Sequence, residues 1–181
     1  MHQWLTSPLG QKIALSEAMT NIESVATDIP RVMESAKTLK NGAVRHKLLK
    51  TIDQASMASE LQLDVNIFQS SAVSFAANAP HSSAGAHDYS VFYDASNARR
   101  PQIAKLINNY TIATLAMSYR DLSNSELKAI ISFWGSPTGT RFADALHVGM
   151  NNAFRDANRS FNSKMNHIIE FNNQFASSDI Q

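Results

Sequence analysis

The chain has 181 residues, no cysteine, and 16 basic against 15 acidic side chains, which gives a formal net charge of +1. So small a charge argues against a protein that binds duplex nucleic acid, because such proteins usually carry a strong basic excess. The lack of cysteine excludes disulfides, thiolate nucleophiles and zinc sites with cysteine ligands, and no apolar run approaches the roughly 18 residues of a transmembrane helix.

Apolar residues at steps of three and four predict helices through the first half of the chain. One helix is predicted from Ile13 to Ile29, and its apolar stripe continues beyond Pro30, where we expect a break or kink. A second helix is predicted as a single long element between Gly42 and Pro80. Two helices of such length can pack along each other.

The segment 81–87 has the composition of a loop and divides the chain near its middle. The next amphipathic helix is predicted from the apolar positions between Ile103 and Met117, with a start near Asp88. Pro101 is compatible with this helix only in the first turn or at a kink, because proline lacks a backbone amide.

A capping box at Ser123 and Glu126 predicts the start of a short helix that ends near Trp134. The last helix is predicted from Pro137 to about Phe175 as one long element. No segment alternates apolar and polar residues for long enough to nominate a strand. We therefore predict an all-α fold, a bundle of long amphipathic helices.

One short motif, aromatic-x-x-Ser-Pro-x-Gly-x-basic-apolar, occurs twice, over residues 4–13 and 133–142. Its serine can accept from free amides at a helix start, and its proline has no amide to leave unsatisfied. Each copy should start a helix abruptly, with the glycine admitting another backbone and the aromatic residue packed at the corner. The structural motif residues, with the capping box, are Ser7, Pro8, Gly10, Ser123, Glu126, Trp134, Ser136, Pro137, Gly139 and Arg141.

The second copy and the Leu-Ser-x-x-Glu-Leu segment before it resemble the bacterial domain-of-unknown-function family numbered two-zero-five-nine. The match covers about Asn108 to Leu146, and it departs from the family pattern at Trp134, where tyrosine is usual, and at Arg141, where lysine is usual. The resemblance implies an all-helical protein, usually exported in Gram-negative bacteria, with no assigned activity.

The two motif copies suggest two related helical units, over residues 1–80 and 88–181, joined by the loop 81–87. Because a helix precedes the motif only in the second copy, we expect that a leader and a helix precede the first. Together with the resemblance and the lack of cysteine, this favours a periplasmic or otherwise exported protein. A cytoplasmic protein is the alternative.

Candidate catalytic and metal-binding residues are few. Asp144 with His147, and His167 with Glu170, pair a carboxylate with an imidazole one turn apart, but the pairs lie about 30 Å apart on one helix and cannot share a site. Loop histidines at 81 and 87 lack a fixed scaffold. Ser125 and Lys128 match a Ser-x-x-Lys pattern that helix capping explains. We predict no metal, no cofactor and no enzymatic activity.

Two polar features remain. A basic cluster spans a turn and could bind an anion such as a lipid headgroup, although a solvated face is the simpler interpretation; its members are Lys37, Lys40, Arg45, Lys47 and Lys50. The last helix also carries a polar face without charge, for which the residues suggest no mechanism; it contains Asn151, Asn152, Asn158, Asn162, Asn166, Asn172 and Asn173.

The best interpretation is a non-enzymatic helical protein that binds a partner protein or an envelope component through a groove between long helices. Apolar residues off the main stripe, Phe154 and Phe171, would also suit a homodimer. The alternatives are an envelope enzyme acting on glycan or peptide, with Glu126 or a groove carboxylate as acid or base, and a peripheral membrane-surface protein. A Glu126 folded onto its own helix cap would remove the leading catalytic candidate.

Overall fold

A computed structural model describes residues 1–24, 42–78 and 88–178, with side chains for 1–19, 42–78 and 88–171. Within these ranges the regular structure is entirely helical, which confirms the predicted all-α fold. No helix there is both long and apolar enough to cross a membrane. The helices are α1 (His2–Leu5), α2 (Pro8–Ser24), α3 (Ala43–Ser56), α4 (Ala58–Asn78), α5 (Tyr89–Asn97), α6 (Arg100–Ser118), α7 (Asn124–Trp134) and α8 (Pro137–Ser178).

The single helix predicted between Gly42 and Pro80 is wrong, because the chain breaks at Met57 into α3 and α4. Met57 has a φ of 59°, in the left-handed region that a residue with a side chain seldom adopts. The Asp53 carboxylate accepts hydrogen bonds from the Ser59 amide at 2.7 Å and from its hydroxyl at 2.9 Å. Asp53 thereby caps the start of α4, and this cap fixes the break.

The prediction of one helix from Asp88 through Met117 is also wrong, since α5 ends at Asn97 and α6 begins at Arg100. Asp88 does start a helix, as the N-cap of α5, where it accepts from the Ser90 amide at 2.8 Å. Pro101 lies in the first turn of α6. Its ring leaves no amide to bond to the preceding turn, which favours a new helix start here over a continuation of α5.

The longest prediction is confirmed, because α8 runs unbroken from Pro137 to Ser178. The first predicted helix is present as α2, which begins at Pro8. Its predicted continuation to Ile29, the break at Pro30 and the loop 81–87 all lie outside the described residues.

The chain divides into two compact units, each assembled from two separate segments. Unit 1 contains Met1–Gln62 and Ala104–His147, and unit 2 contains Leu63–Ile103 and Val148–Gln181. Each unit therefore contains residues from the segment 1–80 and residues from the segment 88–181. That these two segments are related to each other stays a prediction.

Unit 1 has its core where α3 packs against α7. Leu49 and Ile52 on α3, with Leu127 and Ile130 on α7, are at most 1% exposed. Each such side chain contributes roughly 1.5–3 kcal/mol by leaving water. Trp4, Leu9 and Trp134 pack against the same cluster, which ties the motif residues to the core.

Unit 2 is organised around Phe75 of α4, which is fully buried. The rings of Tyr89, Phe92 and Phe161 meet it edge-on, at centroid distances of 5.8, 5.4 and 5.6 Å. This edge-to-face arrangement is the favoured geometry for aromatic clusters. It holds α4, α5 and α8 together and positions the walls of a cavity.

Candidate functional site

The two motif copies adopt the same hydrogen-bonded corner. The Ser7 hydroxyl donates to the Trp4 carbonyl at 2.6 Å and accepts from the Gly10 amide at 3.0 Å. In the second copy Ser136 makes the equivalent contacts with the Phe133 carbonyl at 2.6 Å and the Gly139 amide at 3.1 Å. The prolines that follow begin α2 and α8. Each motif serine therefore links the end of one helix to the start of the next.

The glycines of the motif are required by close backbone approach, as predicted. A Cβ atom at Gly10 would lie 2.0 Å from the Trp4 carbonyl oxygen. A Cβ atom at Gly139 would lie 2.1 Å from the Phe133 carbonyl oxygen and 2.7 Å from the Trp134 Cα. Real side chains do not tolerate such distances, so both corners need glycine.

The aromatic residues at equivalent positions of the two copies stack on each other. The rings of Trp4 and Phe133 have centroids 4.3 Å apart and lie within 5° of parallel. Trp134 stacks on Phe142 at 5.9 Å, and the Arg141 guanidinium donates to the Pro137 carbonyl at 3.0 Å. The two corners thus pack against each other within unit 1, a contact that the repeat alone did not predict.

The predicted capping box is present at the start of α7. Glu126 Oε2 accepts from the Ser123 amide at 2.7 Å, and the Ser123 hydroxyl accepts from the Glu126 amide at 3.2 Å. Glu126 Oε1 also pairs with the Lys12 ammonium, the basic residue of the first motif copy, at 2.7 Å. The Lys12 and Ser123 donors lower the pKa of Glu126 to about 2.

We expect the Glu126→Gln variant to reveal this pKa shift in the pH dependence of stability. Because the pKa of Glu126 is lowered from about 4.5 to about 2 in the folded chain, its carboxylate stabilises the fold above pH 4.5, and this contribution disappears as the pH falls towards 2. Urea unfolding of the wild type and of Glu126→Gln from pH 6 to pH 2 should therefore show a difference in the free energy of unfolding that becomes smaller as the pH falls. In Lys12→Met, which lacks the strongest of these donors, the contribution of Glu126 should be smaller and should disappear at a higher pH. A difference in unfolding free energy that stays constant with pH would contradict a lowered pKa of Glu126.

The structure describes only part of the predicted anion-binding cluster. Lys37 and Lys40 lie outside the described residues, and Lys47 and Lys50 are exposed. The Arg45 guanidinium is already hydrogen-bonded within the chain. It donates to the carbonyl of Tyr119 and, at 2.9 Å, to the carbonyl of Leu122. These carbonyls lie in the turn between α6 and α7. Arg45 is therefore a structural residue that fixes this turn to α3.

Replacing Arg45 with methionine should destabilise unit 1 by about 2 kcal/mol, because charge-assisted bonds to partly buried carbonyls would be lost. The matched control is Lys47→Met, two residues away on the same helix, where the exposed ammonium should be worth less than about 0.5 kcal/mol. Chemical unfolding of the two variants measures both values. If both variants were destabilised equally, the hydrogen bonds of Arg45 to the carbonyls would contribute nothing beyond its surface charge.

Among the side chains that the structure describes, at residues 1–19, 42–78 and 88–171, no group of three or more histidine, aspartate or glutamate side chains could bind a metal ion. The loop histidines at 81 and 87 lie outside those ranges.

Unit 2 contains a cavity of about 540 Å³ between α4, α5 and α8. This volume lies within the roughly 300–1,000 Å³ of small-molecule sites in proteins. Two of its walls come from α4 and from the start of α5, and the third comes from one face of α8. The lining residues are Asp64, Phe68, Asp88, Tyr89, Ser90, Tyr93, Asn151, Phe154, Arg155, Asn158, Arg159 and Asn162.

The polar wall of the cavity is part of the asparagine-rich face of α8. The Oδ1 atoms of Asn158 and Asn162 are buried, and no side chain or backbone group among the described residues donates to them. The same holds for Asn166, one turn further along the helix. Buried polar atoms are nearly always hydrogen-bonded in proteins, so the row marks a place where a donor is missing.

Aromatic side chains from α4, α5 and α8 also line the cavity. Phe68 of α4 stacks on Phe154 of α8, with centroids 4.8 Å apart and planes 19° from parallel. Tyr89 is 5% exposed and donates its hydroxyl to the Phe68 carbonyl at 3.2 Å. Burial raises the pKa of Tyr89, so this hydroxyl stays protonated. Phe154, which the sequence suggested for a dimer face, is half-buried in this stack.

The charges around the cavity balance. Asp64 forms an ion pair with Arg100 at 2.7 Å, and Asp88 accepts from the Ser90 backbone, which lowers the pKa of that carboxyl. Arg155 and Arg159 line the α8 side. The lining thus carries two carboxylates and two guanidinium groups, with no excess of either sign.

The chain matched no protein-family model, no curated protein and no solved structure when it was compared with each. The resemblance to the two-zero-five-nine family therefore rests on the motif residues and stays a prediction.

Proposed function

We propose that this protein is a non-enzymatic binding module that holds a ligand in the cavity of unit 2. The observation that carries the proposal is the conjunction of a cavity of about 540 Å³ with buried asparagine oxygens that lack donors. A concave site with an aromatic wall and a few convergent polar groups is the usual form of a small-molecule site. Of the two ligands that the sequence suggested, this size favours an envelope component over a partner protein.

The states of the carboxylates support binding rather than catalysis. A general acid needs a pKa near the working pH, whereas the pKa of Glu126 is lowered to about 2 and that of Asp88 is also lowered. Asp64 is held in an ion pair with Arg100. Glu126 and Asp88 are thus stabilised in their charged forms, which suits a fixed hydrogen-bond acceptor better than a proton donor.

Membrane-surface binding through the basic cluster has less support, because the Arg45 guanidinium is occupied by backbone carbonyls. We also propose that the protein is exported, as its resemblance and its lack of cysteine suggest. A ligand from the cell envelope would be consistent with that location.

Chemical-shift mapping by NMR tests the proposed function. A panel of neutral oligosaccharides, short neutral peptides and inorganic phosphate should contain a class that shifts the backbone amides of residues 64–68, 88–93 and 151–162. Asn151→Trp places a large ring on the cavity wall and should abolish these shifts. Ser160→Trp, at an exposed position on the opposite face of α8, should leave them unchanged. If no class shifts these amides, or if both variants respond alike, the proposal is wrong.

A further inference from the structure

We infer that the ligand of the unit 2 cavity is a neutral sugar, either free or at the end of a glycan. This inference rests on the proposed function and adds the chemical class of the ligand. Three independent features of the cavity support it: its charge balance, its unsatisfied acceptors and its aromatic stack.

The charge balance disfavours a strongly charged ligand. Asp64 and Asp88 on one side are offset by Arg155 and Arg159 on the other. An anion would meet the two carboxylates, and a cation would meet the two guanidinium groups. A neutral ligand that both donates and accepts hydrogen bonds is opposed by neither sign and can bond to groups of both.

The unsatisfied acceptors call for a ligand with closely spaced donors. The buried Oδ1 atoms of Asn158 and Asn162 lack donors among the described residues. They belong to residues four apart on one helix face, about 6 Å along its axis. Hydroxyl groups on opposite sides of one pyranose ring have a similar separation. Each hydroxyl donates one bond and accepts others, so it can serve both the oxygen and the nitrogen of an asparagine amide.

The aromatic stack favours a sugar ring over a peptide. Phe68 and Phe154 are the purely apolar side chains of the lining, and they form one stack with a 4.8 Å centroid distance. Such a surface can cover the apolar C–H face of a pyranose. An extended peptide commonly binds by adding a strand to an exposed sheet edge, and the described lining comes from helices alone and offers no such edge.

Titration of the full chain with separate ligands tests the inference. The probes are glucose, N-acetylglucosamine and its tetramer, with tri-alanine and inorganic phosphate as the competing classes, and the readout is the amide shifts of residues 64–68, 88–93 and 151–162. We expect a saturable response to at least one sugar and none to tri-alanine or phosphate. A tetramer that binds more than tenfold tighter than its monomer would indicate a glycan, and equal binding would indicate a free sugar.

Variants of the asparagine row provide the second part of the test. Asn158→Leu and Asn162→Leu should each weaken sugar binding at least tenfold, whereas Ser160→Leu, at an exposed position on the opposite face of α8, should stay within twofold. Asn162→Leu should not lower the melting temperature, because the buried oxygen that it removes has no partner in the described chain. Binding of tri-alanine without any sugar would overturn the inference and leave the proposed function standing. If no probe shifts the cavity amides, both the sugar inference and the proposed function are wrong.

Discussion

Replacing Gly139 with alanine is expected to destabilise the protein by about 3 kcal/mol, the upper range for overpacking at a well-packed site. The added Cβ would lie 2.1 Å from the Phe133 carbonyl oxygen and 2.7 Å from the Trp134 Cα. Both are backbone atoms, and the Phe133 carbonyl also accepts the Ser136 hydroxyl at 2.6 Å. The corner cannot open without losing that bond. In a chain of this size, thermal unfolding should show a fall of roughly 10 °C.

Two further glycine variants make this prediction specific. Gly149 lies on the same helix, α8, and a Cβ there would meet nothing within 4 Å. Gly149→Ala should therefore stabilise the helix by roughly 0.5–1 kcal/mol through helix propensity. Gly10→Ala should resemble Gly139→Ala, since its Cβ would lie 2.0 Å from the Trp4 carbonyl oxygen. If Gly139→Ala were as harmless as Gly149→Ala, the described corner would be wrong.

The Ser-Pro-x-Gly corners could be predicted because everything that defines them is local in sequence. The serine, the proline and the glycine act within six residues of one another, through a cap, a missing amide and a missing Cβ. The stack of Trp4 on Phe133 could not be predicted, because it joins residues 129 positions apart in unit 1. The motif residues are thus structural, and their repetition places two equivalent corners in one core.

The breaks within the predicted helices show where periodicity fails. The apolar stripe continues from Leu48 and Ile52 through Leu61 and Val65, so the pattern contains no sign of the left-handed turn at Met57. That turn depends on Asp53 and on its contact with Asn108 of α6, 55 residues away. A hydrophobic pattern records burial, but it does not record which polar side chain caps the next helix.

The candidate site could be predicted only in part. The asparagine face of α8 was visible in the sequence, and so was the expectation of a groove between long helices. The sequence could not indicate that α4 and α5 stand opposite this face, because their arrangement depends on the cluster around Phe75. The role of Asp64 was likewise hidden, since its ion pair with Arg100 spans 36 residues.

Replacing Asp53 with alanine is the second large effect that we expect, a loss of about 3 kcal/mol. Asp53 is 4% exposed, and its carboxylate accepts from the Ser59 amide, the Ser59 hydroxyl and the Asn108 amide at 2.7, 2.9 and 2.9 Å. Its removal costs an N-terminal helix cap, worth about 1 kcal/mol. It also leaves the Asn108 donor poorly satisfied in a partly buried place, at a further cost of about 1–3 kcal/mol. Chemical unfolding at neutral pH measures the total loss in the free energy of unfolding.

Three variants separate this network from a general effect of losing a carboxylate. Asp144→Ala, at an exposed position of α8 in the same unit, should change stability by less than about 0.5 kcal/mol. Asp53→Asn keeps one acceptor for the Ser59 amide, so its cost should be intermediate. Asn108→Ala should cost less in the Asp53→Ala background than in the wild type, because the two side chains share one bond. Strictly additive losses would show that Asp53 and Asn108 act independently. The left-handed turn at Met57 would then depend on the Ser59 contacts alone.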